Sequence, residues 1–287
     1  MSAIRLKRAV NVREMFRFFS NSSNKMEYKN SYLLVMTSCI DPHAGHESII
    51  RSDPLVRLKD YKEALRFWLH YPDRRIDKIL FIDNSGYSLS ELKNIVTNEN
   101  TSNKEVEFIS LNCNWYPKSV SYGYAEMHML DVGLEQSKLR NTVSHIIKVT
   151  GRLKFPQLTR LLNHIVTDFD IVADARLWQT PFRKYKKSFV CTQIILFSYS
   201  FYMKYISNTY KEMCRSDYWV ETFLFKKLFY LYQNDNGKIK RIYMRFPCSV
   251  DPIGNPAHRL RSYTSFSQLV VNFIRSTLRK VAPFWWI

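Results

Sequence analysis

The hydrophobic positions of this chain fall into two alternating periods. SYLLVMTSCI (31–40) is a near-continuous apolar run and reads as a strand buried on both faces. RLKDYKEALRFWLHY (57–71) instead places Leu58, Tyr61, Leu65 and Trp68/Leu69 at helical spacing, with Pro72 closing it. KILFIDNSG (78–86) returns to the strand pattern and ends in a turn at Asn84-Ser85-Gly86. Strand, helix and strand make one βαβ unit.

The order then repeats. SLSELKNIVTN (88–98) reads as a helix with Ser88 as N-cap and Glu91 at capping-box spacing, followed by a strand at VEFISLN (106–112). SYGYAEMHMLDVGLEQS (121–137) is the next helix, SHIIKV a fourth strand, FPQLTRLLNHIV (155–166) a helix and FDIVADAR (169–176) a fifth strand. The uncharged run 188–203 falls short of a membrane span and reads as a buried strand plus helix. This alternation predicts an α/β fold, a Rossmann-like, mostly parallel sheet flanked by helices. Its ligands are expected at the carboxyl ends of the strands.

Composition sharpens this picture at one point, the charge. Of the formal +18, residues 183–287 contribute 18 Lys and Arg against 5 Asp and Glu, a net +13. A polyanionic partner follows, either nucleic acid or an anionic membrane leaflet. Five cysteines without a CxxC pair suggest reduced thiols in a cytosolic protein. The basic N-terminus MSAIRLKRAVNVREMFRFF lacks the apolar core and cleavage site of a secretory signal.

The strand-end rule selects Thr37 and Ser38, Asp83 and Asn84, 112–118, Thr150 to Arg152, and Asp174 to Arg176. Neither GxGxxG nor GxxxxGKS is present, which argues against a dinucleotide enzyme or a P-loop phosphotransferase. LLVMTSCI, FIDNSG, SYGYAEM and above all IIKVTGR followed by DIVADAR resemble bacterial GT-A-like glycosyltransferases of lipopolysaccharide O-antigen and capsule assembly. Several of these carry K-x-T/S-G-R where relatives carry an Asp-x-Asp metal motif. The resemblance spans roughly residues 31–250 and implies a nucleotide-sugar donor and a glycan acceptor.

Carried over residue by residue, Thr37, Ser38, Asp83 and Asn84 would hold the nucleoside, and Tyr122, Gly123 and Glu126 would line the nucleotide-sugar cleft. Lys148, Thr150, Gly151 and Arg152 would occupy the place of the metal motif, bringing backbone N–H groups and a guanidinium to a diphosphate. Arg176 joins this donor-binding set. The family's divalent cation, Mn or Mg, loses its usual motif here, because IIKVTGR has no carboxylate. A literal Asp168-Phe169-Asp170 precedes its strand and so falls at the wrong sheet edge, whereas Asp174 is at the correct one.

Sugar transfer needs a general base near the acceptor hydroxyl. DYWVETFLFKKLFYLY (217–232) offers Asp217 as N-cap and Glu221 as the base, with Asp174 as a second catalytic carboxylate; the alternative is that Asp217 and Glu221 complement the helix dipole and pair with Lys226 or Lys227. His128 and His145 read as satisfied core histidines. The loop 245–261 either closes over a donor phosphate through Arg245, His258 and Arg259 or is a plain surface connection.

The boundaries expected are one domain over 1–262 and a basic amphipathic tail over 263–287. The tail puts Phe266, Leu269, Val270, Phe273, Ile274, Leu278 and Val281 on one helical face, Arg275, Arg279 and Lys280 toward the other, and ends in aromatics. It fits an interfacial membrane anchor, or a helix packed on the domain. The resulting expectation is a cytoplasmic enzyme, peripheral on the inner face of the membrane, with a lipid-linked glycan acceptor and no nucleic-acid partner. The competing reading is a basic, non-catalytic α/β nucleic-acid-binding protein.

Overall fold

The structure, a computed structural model, describes residues 31–42, 49–176, 179–180, 183–184, 188–234, 241–257 and 262–281. The basic N-terminal segment, His258, Arg259 and the aromatics at 284–286 lie outside these residues.

Strands β1 (Tyr32–Ser38), β2 (Lys78–Asp83), β3 (Glu105–Ser110) and β4 (His145–Thr150) alternate with helices α1 (Pro54–Leu69), α2 (Ser90–Glu99) and α3 (Gly123–Gln136). Beyond β4 come α4 (Leu158–His164), β5 (Ile171–Val172), β6 (Ala175–Arg176), β7 (Gln179–Thr180), β8 (Arg183–Lys184), β9 (Phe189–Val190) and β10 (Ile194–Ser198). The chain continues through α5 (Tyr199–Tyr205), α6 (Val220–Gln233), β11 (Ile242–Tyr243) and α7 (Phe266–Val281). Seven strands form the main sheet in the order β11-β5-β10-β4-β1-β2-β3. Only β10 runs against its neighbours, β4 and β5.

The architecture is the α/β, mostly parallel, helix-flanked sheet that the alternating pattern predicts, with a C-terminal helix. The period of two explains the core on both sides of it. Along β1, Leu34 and Met36 join Trp68, Phe155 and Leu158 on one face, while Leu33 and Val35 join Met127, Leu130 and Leu224 on the other. In β4, Ile147 and Val149 face the first layer and Ile146 the second. Strict alternation therefore turns Lys148 toward α3 and α6, where its partner is found.

Some local expectations are corrected. Helix α1 starts at Pro54, three residues early, because the Asp53 side chain accepts from the Leu55 and Val56 N–H groups and Pro54 suits the first turn. Helix α2 has Leu89 as its cap residue and no side-chain cap, so Ser88 and Glu91 form no capping box. Glu91 pairs instead with Lys62 on α1. Helix α6 begins after Trp219 without a side-chain cap, so Asp217 is not its N-cap. Lys227 pairs with Glu212 at 3.0 Å.

The largest difference is at 169–176. The expected single strand breaks after Val172: β5 stays in the main sheet, and β6 leaves it to pair antiparallel with β9. Asp174 stands at the break. His145 is satisfied by Ser144 Oγ at 2.9 Å and the Phe169 carbonyl at 2.9 Å, as expected of a core histidine. No disulfide joins the five cysteines.

Candidate active site

The carboxyl ends of β1 and β4 converge with the first turns of α3 and α6. Lys148 is 4% exposed, and its ammonium meets Glu126 at 2.6 Å and donates to the Thr192 carbonyl at 2.7 Å. The Thr37 hydroxyl donates to the same Glu126 carboxylate at 2.8 Å. Burial would raise the Glu126 pKa, but Lys148 and Thr37 outweigh it and hold the carboxyl below its ordinary range. Glu221 meets the opposite fate. Burial first, then the nearby Glu126 charge, push it above the ordinary glutamate range, while Thr192 Oγ1 reaches its carboxylate at 3.4 Å.

Two glycines make this convergence sterically achievable. At Gly123 an added Cβ would lie 2.3 Å from Val220 Cγ1, so the first turns of α3 and α6 touch only because that atom is missing. The Ser121 N–H donating to the Tyr218 carbonyl at 2.8 Å locks the same contact. Gly123 is thus a packing residue between the helices that carry Glu126 and Glu221. At Gly151 a Cβ would stand 2.7 Å from the Thr37 carbonyl oxygen. The Gly151 N–H donates to that oxygen at 2.8 Å, so this amide ties β4 to β1 and is not turned toward a ligand.

The rest of the Lys148-to-Arg152 element is also built into the fold. Thr150 N–H donates to the Gln193 carbonyl at 2.9 Å, and Arg152 Nε donates to the Asn255 carbonyl at 2.8 Å. The loop 245–257 lies against this turn, with Lys154 and Ile253 exchanging backbone bonds at 3.0 and 2.8 Å. Arg152 stays close enough to Glu126 and Tyr122 to pull both their pKa values down. For Tyr122 that pull is overcome by burial and by the charges of Glu221 and Glu126, which together raise its phenol.

The nucleoside set divides. Asp83 is fully buried and accepts from Ser38 Oγ at 2.8 Å, Ile40 N–H at 2.8 Å, Ser85 N–H at 2.8 Å and Ser85 Oγ at 2.6 Å. Asp83 and Ser38 therefore staple the ends of β1 and β2 together and have no free valence to offer. Asn84 differs, because its buried Oδ1 has no partner.

Asp174 is likewise committed. It is 3% exposed and held by Arg279 Nη2 at 2.7 and 2.8 Å and by Arg176 at 3.3 Å, so it is not presented as a catalytic carboxylate. Burial opposes its ionisation, but Arg279 and Arg176 win and keep it below the ordinary aspartate range. Arg176, expected at the donor, is taken up by Asp174 and the Phe189 ring. Arg245 belongs to the same cluster, brought down to about 10 by burial and then by Arg279 alongside.

Arg279 also donates to the Phe246 carbonyl at 2.8 Å, so α7 docks on the domain through its polar face. Its apolar face points outward: Phe266 is 82% exposed, Phe273 73% and Val281 70%. Thr192, Trp219 and Arg279 as a clamp on Asp174 were not among the sequence-derived site residues. The one available signal was Lys148 itself, a cation inside an apolar strand, which demands a buried partner.

Among the described residues no group of three or more His, Cys, Asp or Glu is gathered to hold a metal. At the strand end in question the donor set is Lys148 and Arg152, cations that do not fit a divalent ion, and Glu126 is already taken by Lys148 and Thr37. A cavity of about 30 Å³ lies behind this group, lined by Glu126, Lys148, Thr192 and apolar side chains of α3, β10 and α6, room for about one water.

No family model and no curated protein matches this chain. Solved structures resemble it distantly. A 4-diphosphocytidyl-2C-methyl-D-erythritol synthase from Anaerococcus prevotii aligns at TM-score 0.41 and 12% identity over 88% of this chain and 99% of that one. A cytidylyltransferase from Leptospira borgpetersenii aligns at 0.40 and 11% over 84% and 83%. The mannosyltransferase Ktr4p from S. cerevisiae aligns at 0.39 and 10% over 67% of this chain and 61% of that one. Likenesses this distant leave the chemistry to be read from the site itself.

Proposed function

We propose that this protein is a glycosyltransferase that moves a sugar from a nucleotide-sugar donor to a hydroxyl of a glycan. The observation that carries this reading is the grouping at the carboxyl ends of β1 and β4, where Glu126 meets Lys148 at 2.6 Å and Glu221 of α6 meets Thr192 Oγ1 at 3.4 Å, with burial raising Glu221 and Lys148 keeping Glu126 low. Carboxyls held in different environments can take different roles. Glu126 is the fixed anion that keeps Lys148 in place, and Glu221 is the base.

In the reaction the acceptor oxygen forms a bond to the anomeric carbon while the bond from that carbon to the diphosphate oxygen breaks. The acceptor proton passes to Glu221 and the electron pair leaves with the nucleoside diphosphate. Arg152 meets the charge that develops there, a task for a preorganised cation; Lys148 is buried on Glu126 and acts through that pair. Asn84 Oδ1 is available to the nucleoside and Tyr122 lines the cleft between donor and base.

The acceptor class, a lipid-linked glycan of bacterial O-antigen or capsule, follows from the resemblance of the strand-end motifs and fits α7. A helix that spends Arg279 on Asp174 and exposes Leu269, Val270, Phe273 and Ile274 suits the interface of an anionic bilayer. The protein would then work at the inner face of the cytoplasmic membrane. Sedimentation with anionic liposomes checks this: the full chain pellets, and Phe273→Asp reduces the bound fraction at least fivefold. Equal pelleting by Phe273→Asp would remove α7 from membrane binding.

The reading is tested first by thermal shift with UDP, GDP, CDP, CMP and dTDP, each with Mn²⁺ and with EDTA. One nucleotide should raise Tm by several degrees through simple binding linkage, and the shift should persist in EDTA. Stabilisation by short RNA or DNA and by no nucleotide would replace the transferase reading with nucleic-acid binding, which the net +18 alone would support.

A further inference from the structure

We propose that the Trp219 indole is the platform on which the acceptor sugar lies, a subsite whose role rests on the transferase reading. Trp219 is 43% exposed and stands immediately before α6, two residues from Glu221. Its neighbours are edge-on: the Tyr218 ring at 5.0 Å and 84°, and the Tyr122 ring at 6.5 Å and 79°. Among the described residues no ring lies parallel on the indole.

The backbone around it is fixed. Tyr218 accepts from the Ser121 N–H at 2.8 Å, and Val220 fills the space beside Gly123. The residues on both sides of Trp219 are therefore clamped to the start of α3, and the indole is carried on a scaffold that cannot slide. Tyr122 connects this platform to the chemistry, since its phenol is raised by the charges of both Glu221 and Glu126.

A pyranose presents a face of clustered C–H bonds that packs against a large aromatic surface, while its hydroxyl rim seeks polar partners. The polar group carried nearest along the chain is the Glu221 carboxylate in the first turn of α6. The sheet order separates donor from acceptor. Asn84 ends β2 and Thr192 precedes β10, three strand spacings apart across β1 and β4, on the order of 14 Å. The nucleoside end therefore falls on the β2 side, the Lys148 pair between, and Trp219 with Glu221 on the β10 side.

The test uses the full chain and no nucleotide: saturation-transfer NMR with methyl glucoside, galactoside, mannoside and N-acetylglucosaminide and their β-linked disaccharides. At least one sugar should receive saturation through its ring C–H protons, Trp219→Ala should reduce it at least fivefold, and Trp219→Phe should keep most of it. Trp115→Ala, which removes the other strongly exposed indole among the described residues, should leave it unchanged. Absence of transfer from the whole panel, or equal transfer from Trp219→Ala, overturns the platform. Sugar contact that depends on Trp219 in a protein that no nucleotide stabilises keeps the platform and sinks the transferase.

Discussion

Glu221→Gln should lower turnover roughly 10²- to 10⁴-fold, the range that general-base catalysis supplies. The nucleotide-induced rise in Tm should be unchanged, because the amide is isosteric and the donor cation Arg152 is untouched. Turnover is followed as nucleoside diphosphate released from the donor that the thermal screen identifies. A rate within threefold of wild type would remove Glu221 from the mechanism.

The same residue sets the pH dependence. A base must be ionised, and burial with Glu126 nearby raises Glu221, so kcat/KM should climb with pH along a limb whose apparent pKa lies above the roughly 4.3 of an ordinary glutamate. The limb should be missing in Glu221→Gln. Glu126 contributes no such limb in this range, since Lys148 keeps it ionised well below it.

The first four strands and their helices were legible because each is long enough for its own period to declare itself. The break of the fifth strand after Val172 and the whole of β11 were not, because β5 and β11 are two residues each and are held by distant partners such as Ile242 against Ile171. The same holds for the direction of β10, which is fixed by pairing with Lys148 and its neighbours rather than by anything local. At the site, the strand-end rule selected Thr37 and Arg152, and the resemblance added Glu126, Lys148 and Glu221. Neither could tell which of them were already occupied. Asp83 and Asp174 look in sequence like available carboxylates, and only the four donors around one and the guanidiniums around the other reveal their internal use.

Helix α7 makes the same point about direction. Its sequence shows an apolar stripe and a polar one, and the usual inference turns the apolar stripe inward. A buried carboxylate reverses this. Gln268, Asn272, Arg275, Leu278 and Arg279 lie on the less exposed side, where Arg279 meets the Asp174 carboxylate, and Phe266, Leu269, Val270, Phe273, Ile274 and Val281 face solvent. Orientation here is decided by one ion pair and not by hydropathy.

That ion pair should dominate the stability of the C-terminal third. Asp174→Ala removes the only carboxylate in direct contact with Arg279 and Arg176 among the described ion pairs, and it leaves the more distant Asp251 as the carboxylate nearest this group of guanidiniums. Breaking one side of a buried pair costs about 3–5 kcal/mol. For a chain of this size that corresponds to a fall in Tm of roughly 6–20 °C. Arg279→Met added to Asp174→Ala should recover part of the loss, because it removes the stranded cation; a double mutant no better than the single would show that the pair is not the cause. The pH dependence has a definite sign. The folded pKa of Asp174 lies below its unfolded value, so its contribution is complete above about pH 4 and is lost as the pH falls through the lowered folded value. Asp174→Ala should therefore lose most stability at neutral pH, and the wild-type advantage should shrink in acid. Equal denaturation midpoints at pH 7 would mean that α7 is held by something other than this carboxylate.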